Sequence, residues 1–155
     1  MSLPLGFAEH FAREPASIRP MDTILLLAHP ESDGSLARAA LESLEAVRQL
    51  SSSLGTTFSV GLVGADTAAA AQAIATCGAS RFLSVSGEAF AQPRYATDTA
   101  AAEALARASA ATLVVAPATS RWNRVLPGVA HRLGGRADTH VSELRAEGGA
   151  PAISR

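Results

Sequence analysis

Four short apolar runs recur along the chain, and longer segments with a helical spacing of apolar residues separate them. The runs cover residues 23–28, 58–63, 81–85 and 112–116. Continuous runs of leucine and β-branched residues are typical of strands buried on both faces of a parallel sheet. The pattern therefore predicts four strands, and it indicates burial on both faces most clearly for the first and the fourth.

The segments that follow these strands predict four helices. Residues 36–54 carry one apolar face, which consists of Leu36, Ala40, Leu44, Val47, Leu50 and Leu54. Ser35 is the candidate N-cap of this helix, and Gly55 ends it. Residues 67–77 and 98–110 predict alanine-rich helices. After the fourth strand, apolar residues recur at a spacing of four, at Val125, Val129 and Leu133.

This alternation of strand and helix predicts an α/β fold, because parallel strands need crossover connections and helices then cover both faces of one sheet. We expect a Rossmann-like three-layer α/β/α sandwich with a parallel sheet of strand order 3-2-1-4, which is adenine-nucleotide-hydrolase-like. Strands one and four are then neighbours. Their loops, 29–35 and 119–123, would lie side by side at the topological switch point, where such folds bind ligands.

Residues 22–146 form the predicted domain. Prolines at positions 4, 15 and 20 interrupt residues 1–21, which favours a loosely ordered N-terminal extension. Gly148-Gly149-Ala150-Pro151 has the composition of a flexible connection. Residues 147–155 are therefore expected to begin a linker to a second domain that is missing from this chain.

The loop after the fourth strand is the most unusual stretch of the sequence. Residues 117–124 predict a short polar loop, and Pro127 fits the first turn of the helix that follows. Within this loop, the run Arg121-Trp122-Asn123-Arg124 allows two interpretations. An aromatic side chain flanked by guanidinium groups is typical of a contact patch. Alternatively, Trp122 folds back on the sheet edge and Asn123 caps the helix.

Candidate catalytic groups are few. Lysine is absent, which excludes both a P-loop lysine and a Schiff-base mechanism. His29 and Asp33 have the spacing of a base and its orienting group, but also of a pair that fixes a loop.

The set Asp138, His140 and Glu143 suits a solvated strand edge better than a metal, because Glu143 points away from the other two in an extended segment. The prediction is therefore no catalytic residue and no metal site. Thr119, Ser120 and Asn123 are the candidates should the crevice bind a nucleotide, because amides at a helix start accept phosphate.

Composition limits the binding partners and the cellular location that the sequence supports. The formal net charge of −1 gives no general attraction to nucleic acid or to anionic membranes. No apolar run approaches the roughly 20 residues of a membrane span. The single cysteine, Cys77, forms no internal disulfide, which favours a reducing, cytoplasmic location. Neither nucleic-acid binding nor membrane insertion is expected.

Several of these segments resemble the N-terminal domain of the electron transfer flavoprotein alpha subunit, over residues 22–144. The resemblance is carried by the strand at 24–28 with His29, by Gly34-x-Leu36 at the entry to the first helix, and by the turn CGASRFL at 77–83. The most specific part is Ala116-Pro117-Ala118-Thr119, followed by Leu126 or its neighbour with Pro127, and by Val129-Ala130. Three features depart from the family pattern. Gly128 replaces a basic residue, Arg121-Trp122-Asn123 replaces a glycine-containing loop, and the acidic residue common beside the first-strand histidine is missing, since Glu31 comes later.

This resemblance implies a structural domain that packs against a beta subunit and supports a flavin domain absent from this chain. It implies flavin adenine dinucleotide (FAD) in the full complex, bound mainly by the second alpha domain, with AMP in the beta subunit. No cofactor is expected on this chain itself, and dehydrogenases and electron acceptors would be reached through the heterodimer. The alternative is a small protein of the same superfold that binds or hydrolyses AMP or ATP in the crevice.

Overall fold

The computed structural model describes residues 22–155, so the predicted N-terminal extension lies outside the described residues. The strands are β1 (Ile24–Ala28), β2 (Phe58–Gly64), β3 (Arg81–Ser86), β4 (Leu113–Val115), β5 (Glu143–Glu147) and β6 (Ala150–Ser154). The helices are α1 (Arg38–Leu54), α2 (Ala68–Ala73), α3 (Tyr95–Ala108) and α4 (Ser120–Leu133). A 3-10 helix of one turn, Glu88–Phe90, precedes α3.

The central sheet has the order β3-β2-β1-β4, and every pairing in it is parallel. This confirms the expected α/β Rossmann-like fold and its strand order. All five residues of β1 and all seven of β2 are buried. Their continuous apolar character has a simple cause, since both faces of these inner strands are covered by other layers.

The alternation of side chains along β1 divides the interior into two cores. Ile24 and Leu26 face α1 and α2, where they pack with the predicted stripe of α1. Leu25 and Leu27 face α3 and α4. Each such side chain contributes about 1.5–3 kcal/mol when it is fully buried. The buried members of the α1 stripe are Ala40, Leu44, Val47 and Leu50, as its spacing predicts.

The fourth strand is not buried on both faces, which corrects the prediction from its apolar run. Leu113, Val114 and Val115 are each only half-buried, and β4 is an edge strand that pairs with β1 alone. An edge strand covered by helix on one face and by other structure on the opposite face still needs apolar residues on both. The apolar run therefore does not distinguish an edge from an inner position.

The segment predicted to begin a linker forms a β-hairpin instead. Strands β5 and β6 pair antiparallel, with Glu147 opposite Ala150. Gly148 and Gly149 both have positive φ angles, 59° and 76°. These are the angles of a tight two-residue hairpin turn, in which glycine is preferred at both positions. Leu144 and Ala146 pack against the core beside α1, so the hairpin belongs to the domain.

Several helix ends also differ from their predictions. Helix α2 ends at Ala73 rather than at Cys77, because Ile74 leaves helical geometry and is buried in the core. Helix α3 begins earlier, at Tyr95. Ser35 does not cap α1, since its amide and hydroxyl both donate to the carboxylate of Asp33.

The loop after β1 rests closely against the end of β2. A β-carbon added at Gly64 would lie 2.7 Å from Cγ and 2.8 Å from Cδ of Pro30. We predict that Gly64→Ala lowers the free energy of unfolding by about 1–3 kcal/mol, because neither the proline ring nor the strand can move without disturbing the core. The change corresponds to roughly 2–4 °C in Tm for each kcal/mol.

Gly135→Ala is the matched control for this substitution. At Gly135 the nearest atom to an added β-carbon is a backbone oxygen 3.8 Å away, and the residue is exposed. Thermal unfolding of both variants is the measurement. Equal Tm values for the two variants would show that the contact between Pro30 and Gly64 is not tight.

Candidate functional site

The carboxyl end of β1 and the start of α4 meet as the strand order requires. His29 directly follows β1, and its ring centroid lies 6.0 Å from that of Trp122 in the first turn of α4. The two loops expected at the topological switch point are therefore neighbours. The crevice between them is the candidate functional site.

Helix α4 begins at Ser120, four residues earlier than it would if Asn123 were its N-cap. Thr119 is the N-cap, and its hydroxyl accepts a hydrogen bond from the amide of Trp122 at 3.4 Å. The polar segment 120–124 is thus helix rather than loop. Pro127 accordingly lies inside the helix, not in its first turn. Because proline has no amide hydrogen, the carbonyl of Asn123 lacks its usual partner one turn later.

Arg121 is not part of a surface contact patch. Its side chain is only 5% exposed and forms a bidentate ion pair with Asp98 of α3, with Nε and Nη2 each 2.8 Å from a carboxylate oxygen. Nη2 also donates to the carbonyl of Phe90 at 3.0 Å. Asp98 in turn accepts from the amide of Arg94. The pair is therefore satisfied on both sides, as a buried charge requires.

Trp122 is fully buried, so of the two interpretations the contact patch is excluded and the ring folded back onto the sheet is confirmed. The indole packs with Leu25 and Leu27 in the core formed by α3 and α4. Its Nε1 has no hydrogen-bond partner among the described residues, and the same holds for Nδ1 of His29 and Oγ1 of Thr99. Buried polar atoms of this kind are commonly satisfied by ordered water.

The imidazole of His29 is held in its neutral form. Burial lowers its pKa below the usual value of 6.5, and the positive charge of Arg121 lowers it further. Glu31, whose carboxylate is 3.9 Å from Nε2, and Asp98 raise the pKa but do not reverse the direction. A neutral imidazole beside the indole is a packing element of the crevice floor.

The remaining candidates from the sequence occupy local roles. Asp33 fixes its own loop through Ser35, as in the loop-fixing interpretation, and makes no hydrogen bond to His29. Asp138 pairs with Arg155, and Glu143 pairs with Arg145. Among residues 22–155, no three histidine, cysteine, aspartate or glutamate side chains converge as metal ligands.

Of the three crevice candidates, Thr119 uses its hydroxyl as the helix cap, whereas Ser120 and Asn123 are exposed. The sequence did not reveal the role of Asp98, which lies 23 positions before Arg121. The one feature of the sequence that could have indicated this role is the position of Asp98, an acidic residue in the first turn of an alanine-rich helix.

The model of the electron transfer flavoprotein domain family matches residues 24–154. The match covers most of the chain, and the chain therefore belongs to this family. A search among curated proteins found no match. Proteins of this family serve electron transport in association with flavin, so this chain is an electron-transfer-flavoprotein-related domain. Within residues 22–155, every helix is too short or too polar to cross a bilayer.

We predict that the ion pair between Asp98 and Arg121 stabilises the fold only as a pair. Arg121→Met leaves a buried carboxylate without its partner and should lower the free energy of unfolding by about 3–5 kcal/mol. The double variant Asp98→Leu with Arg121→Met should recover most of this loss, because no unpaired charge remains. Urea unfolding at pH 7.5 measures both.

Arg38→Met is the control for this series. Arg38 pairs with Glu42 at 2.7 Å on the surface, where both side chains are more than half exposed. Its loss should cost no more than about 0.5 kcal/mol. A loss of the same size for Arg121→Met would contradict the structural role of the buried pair.

We predict a pH dependence of stability that originates at His29. The unfolded chain takes up a proton on this imidazole near pH 6.5, whereas the folded chain does so only at lower pH. The free energy of unfolding should therefore be highest above pH 6.5 and fall as the pH decreases toward the folded-state pKa. Carboxylates with lowered pKa values change the free energy of unfolding in a lower pH range. For Glu45, whose pKa is lowered from 4.5 to about 2, that range lies between these two values.

Urea unfolding between pH 7.5 and 5.5, followed by the fluorescence of the single tryptophan, Trp122, measures this slope. His29→Gln should flatten it, and His131→Gln, at an exposed position on α4, should leave it unchanged. An unchanged slope in His29→Gln would assign the effect to other groups.

Proposed function

We propose that this domain is a non-catalytic scaffold of an electron transfer flavoprotein of the alpha-subunit type. It packs against a beta-type subunit and supports a flavin domain that holds FAD. Dehydrogenases and electron acceptors interact with the assembled complex rather than with a site on this domain. The cytoplasm is the proposed location.

One observation carries this proposal: the largest side chains at the start of α4, Arg121 and Trp122, are committed to the interior of the domain. Arg121 is bound by Asp98 and by the carbonyl of Phe90. Thr119 caps α4, and the indole of Trp122 occupies the space beneath His29. The fully buried indole of Trp122 is part of the core and offers no exposed face on which a flavin ring could stack.

The alpha-type assignment rests on sequence similarity within the family match. Ala116-Pro117-Ala118-Thr119 connects β4 to the N-cap of α4, and Pro127 and Val129-Ala130 follow in that helix. The turn 77–83, which leads into β3, is the second similar segment. The first segment ends at the crevice, and the second leads into the edge strand β3.

The nucleotide-binding alternative depends on the exposed residues Ser120 and Asn123. They lie at the start of a 14-residue helix, where amides attract phosphate. One contact argues against this alternative. Arg121, which directly follows Ser120, is buried, and its charge is already neutralised by Asp98. An incoming phosphate therefore gains little from that guanidinium.

We predict that the purified chain shows no flavin absorbance and binds AMP and ATP more weakly than about 100 μM, or roughly −5.5 kcal/mol. Co-expression with the beta-type subunit of the same genome should yield a stable complex, detected by size-exclusion chromatography. Absorbance spectroscopy tests for flavin, and calorimetry measures the affinity for AMP and ATP.

A stoichiometric yellow chromophore on the isolated chain would overturn the scaffold role. Nucleotide binding tighter than about 100 μM would favour the alternative. Two variants locate such binding. The double variant Ser120→Ala with Asn123→Ala should abolish nucleotide binding, whereas Ser53→Ala, at the far end of α1, should leave it unchanged.

A further inference from the structure

An exposed tyrosine and two arginines lie together at the starts of α3 and α4. Tyr95, the first residue of α3, is 52% exposed, the largest fraction among the large apolar and aromatic residues of the described chain. Arg94 precedes it at the N-cap position, and Arg124 lies in the second turn of α4. We propose that these three side chains form a docking surface for an acidic segment of another protein. The inference goes beyond the scaffold role and does not depend on it.

Contact with α4 holds the ring of Tyr95 in place. A β-carbon added at Gly128 would overlap the hydroxyl oxygen of Tyr95 and would lie 3.1 Å from Cζ of the ring. The glycine therefore leaves the space that the ring occupies on the surface of α4. An aromatic side chain that is ordered before binding contributes contact area at a low cost in conformational entropy. For this reason an ordered tyrosine is well suited to the centre of a binding surface.

Arg124 lies on the side of α4 that faces α3. Residues 121, 124 and 128 fall on one side of the helix, because their spacings are three and four. Arg121 pairs with Asp98 of α3, and Gly128 lies against Tyr95. The Tyr95 ring thus reaches α4 one turn after Arg124, whose exposed side chain extends from the same side of the helix.

The positive charges of this surface have no counter-charge within the described residues. Arg94 and Arg124 form no ion pair there, and the exposed carboxylate of Glu88, in the turn before α3, pairs with neither. A cation at the start of a helix also opposes the helix dipole, so the charge of Arg94 does not stabilise α3. A partner that supplies carboxylates would complement both arginines.

A short acidic segment of a protein fits this surface better than a nucleic acid does. Nucleic-acid sites carry a basic stripe along which phosphates bind. The next arginines on these two helices, Arg107 and Arg132, are both paired with Glu103, so they do not extend the positive charge. The formal net charge of the chain is −1. The ring of Tyr95 instead offers contact area to an apolar side chain that neighbours the carboxylates.

The N-terminal segment of the chain joins the domain at the opposite edge of the sheet. Asp22 accepts a hydrogen bond from the hydroxyl of Thr112 at the amino end of β4. Helices α3 and α4 begin after the carboxyl ends of β3 and β4, so Tyr95 lies at the other edge. The acidic residues of this segment, Glu9 and Glu14, are nevertheless included in the test as competitors for the surface.

Binding of a short fluorescein-labelled peptide of alternating glutamate and leucine to the full chain, followed by fluorescence anisotropy, tests the proposal. We expect a Kd of about 100 μM or tighter at low salt. Affinity should fall at physiological ionic strength, where charges are screened beyond about 8 Å. Tyr95→Ala should weaken binding at least about tenfold. Arg94→Gln and Arg124→Gln should weaken it about two- to fivefold each.

Three variants test whether the position of the ring matters. Gly128→Ala displaces the Tyr95 ring, whose far end can move, so the chain should fold while affinity falls at least about threefold. The double variant Gly128→Ala with Tyr95→Phe removes the overlapping hydroxyl and should recover most of this loss. The matched control is Arg136→Gln, at an exposed arginine after α4, which should leave affinity unchanged. Thermal unfolding verifies that each variant folds.

Three outcomes would overturn the inference. The first is the absence of peptide binding, or an equal loss of affinity in Arg136→Gln. The second is a single-stranded DNA oligonucleotide that binds as tightly as the peptide, which would assign the surface to nucleic acid. The third is tighter peptide binding, by about threefold or more, in the double variant Glu9→Gln with Glu14→Gln, which would assign the surface to the chain's own N-terminal segment. The proposed function is decided separately, by complex formation with the beta-type subunit.

Discussion

The buried ion pair between Arg121 and Asp98 is the interaction on which the arrangement of this domain depends. It joins the first turn of α4 to the first turn of α3, and both partners are at most 5% exposed. A third contact, to the carbonyl of Phe90, fixes the turn before α3 as well. A buried charge pair is rarely the most stabilising choice, but it is directional. It sets the rotation of α4 about its axis, which apolar packing alone specifies less strictly.

That rotation decides what fills the crevice. With Arg121 turned toward α3, the next residue, Trp122, must lie beneath β1 and beside His29. The superfold commonly binds ligands at this switch point, yet fold does not imply function. Here Arg121 and Trp122, in the first turn of α4 at this point, are buried in the domain instead of facing the crevice. The lowered pKa of His29 has the same origin, since burial and the Arg121 charge both favour the neutral imidazole.

The sequence predicts the inner part of the fold well and its periphery poorly, for physical reasons. Strand β1 and the stripe of α1 are periodic and surrounded, so local pattern and burial agree. The pair Gly148-Gly149 suits a linker and a tight turn equally, and only the pairing of β5 with β6 decides between them.

The run Arg121-Trp122 likewise suits a surface patch until Asp98 is known to face it. The half-buried β4 shows the same limit, because covering layers on both sides give an edge strand the composition of an inner one. In each case the missing information is a contact distant in sequence.

Helix α4 forms a wall of the crevice and also of a groove of about 810 Å³ beside β4, which α1 and residues 135–144 line as well. Its buried stripe, Val125 and Val129, packs on the sheet, and Leu126 and Ala130 on the adjacent face reach the groove. A helix rotated to free Arg121 for a ligand would therefore also shift the side chains beside β4. The orientation of one helix thus determines both the packing at the crevice and the side chains that lie beside β4.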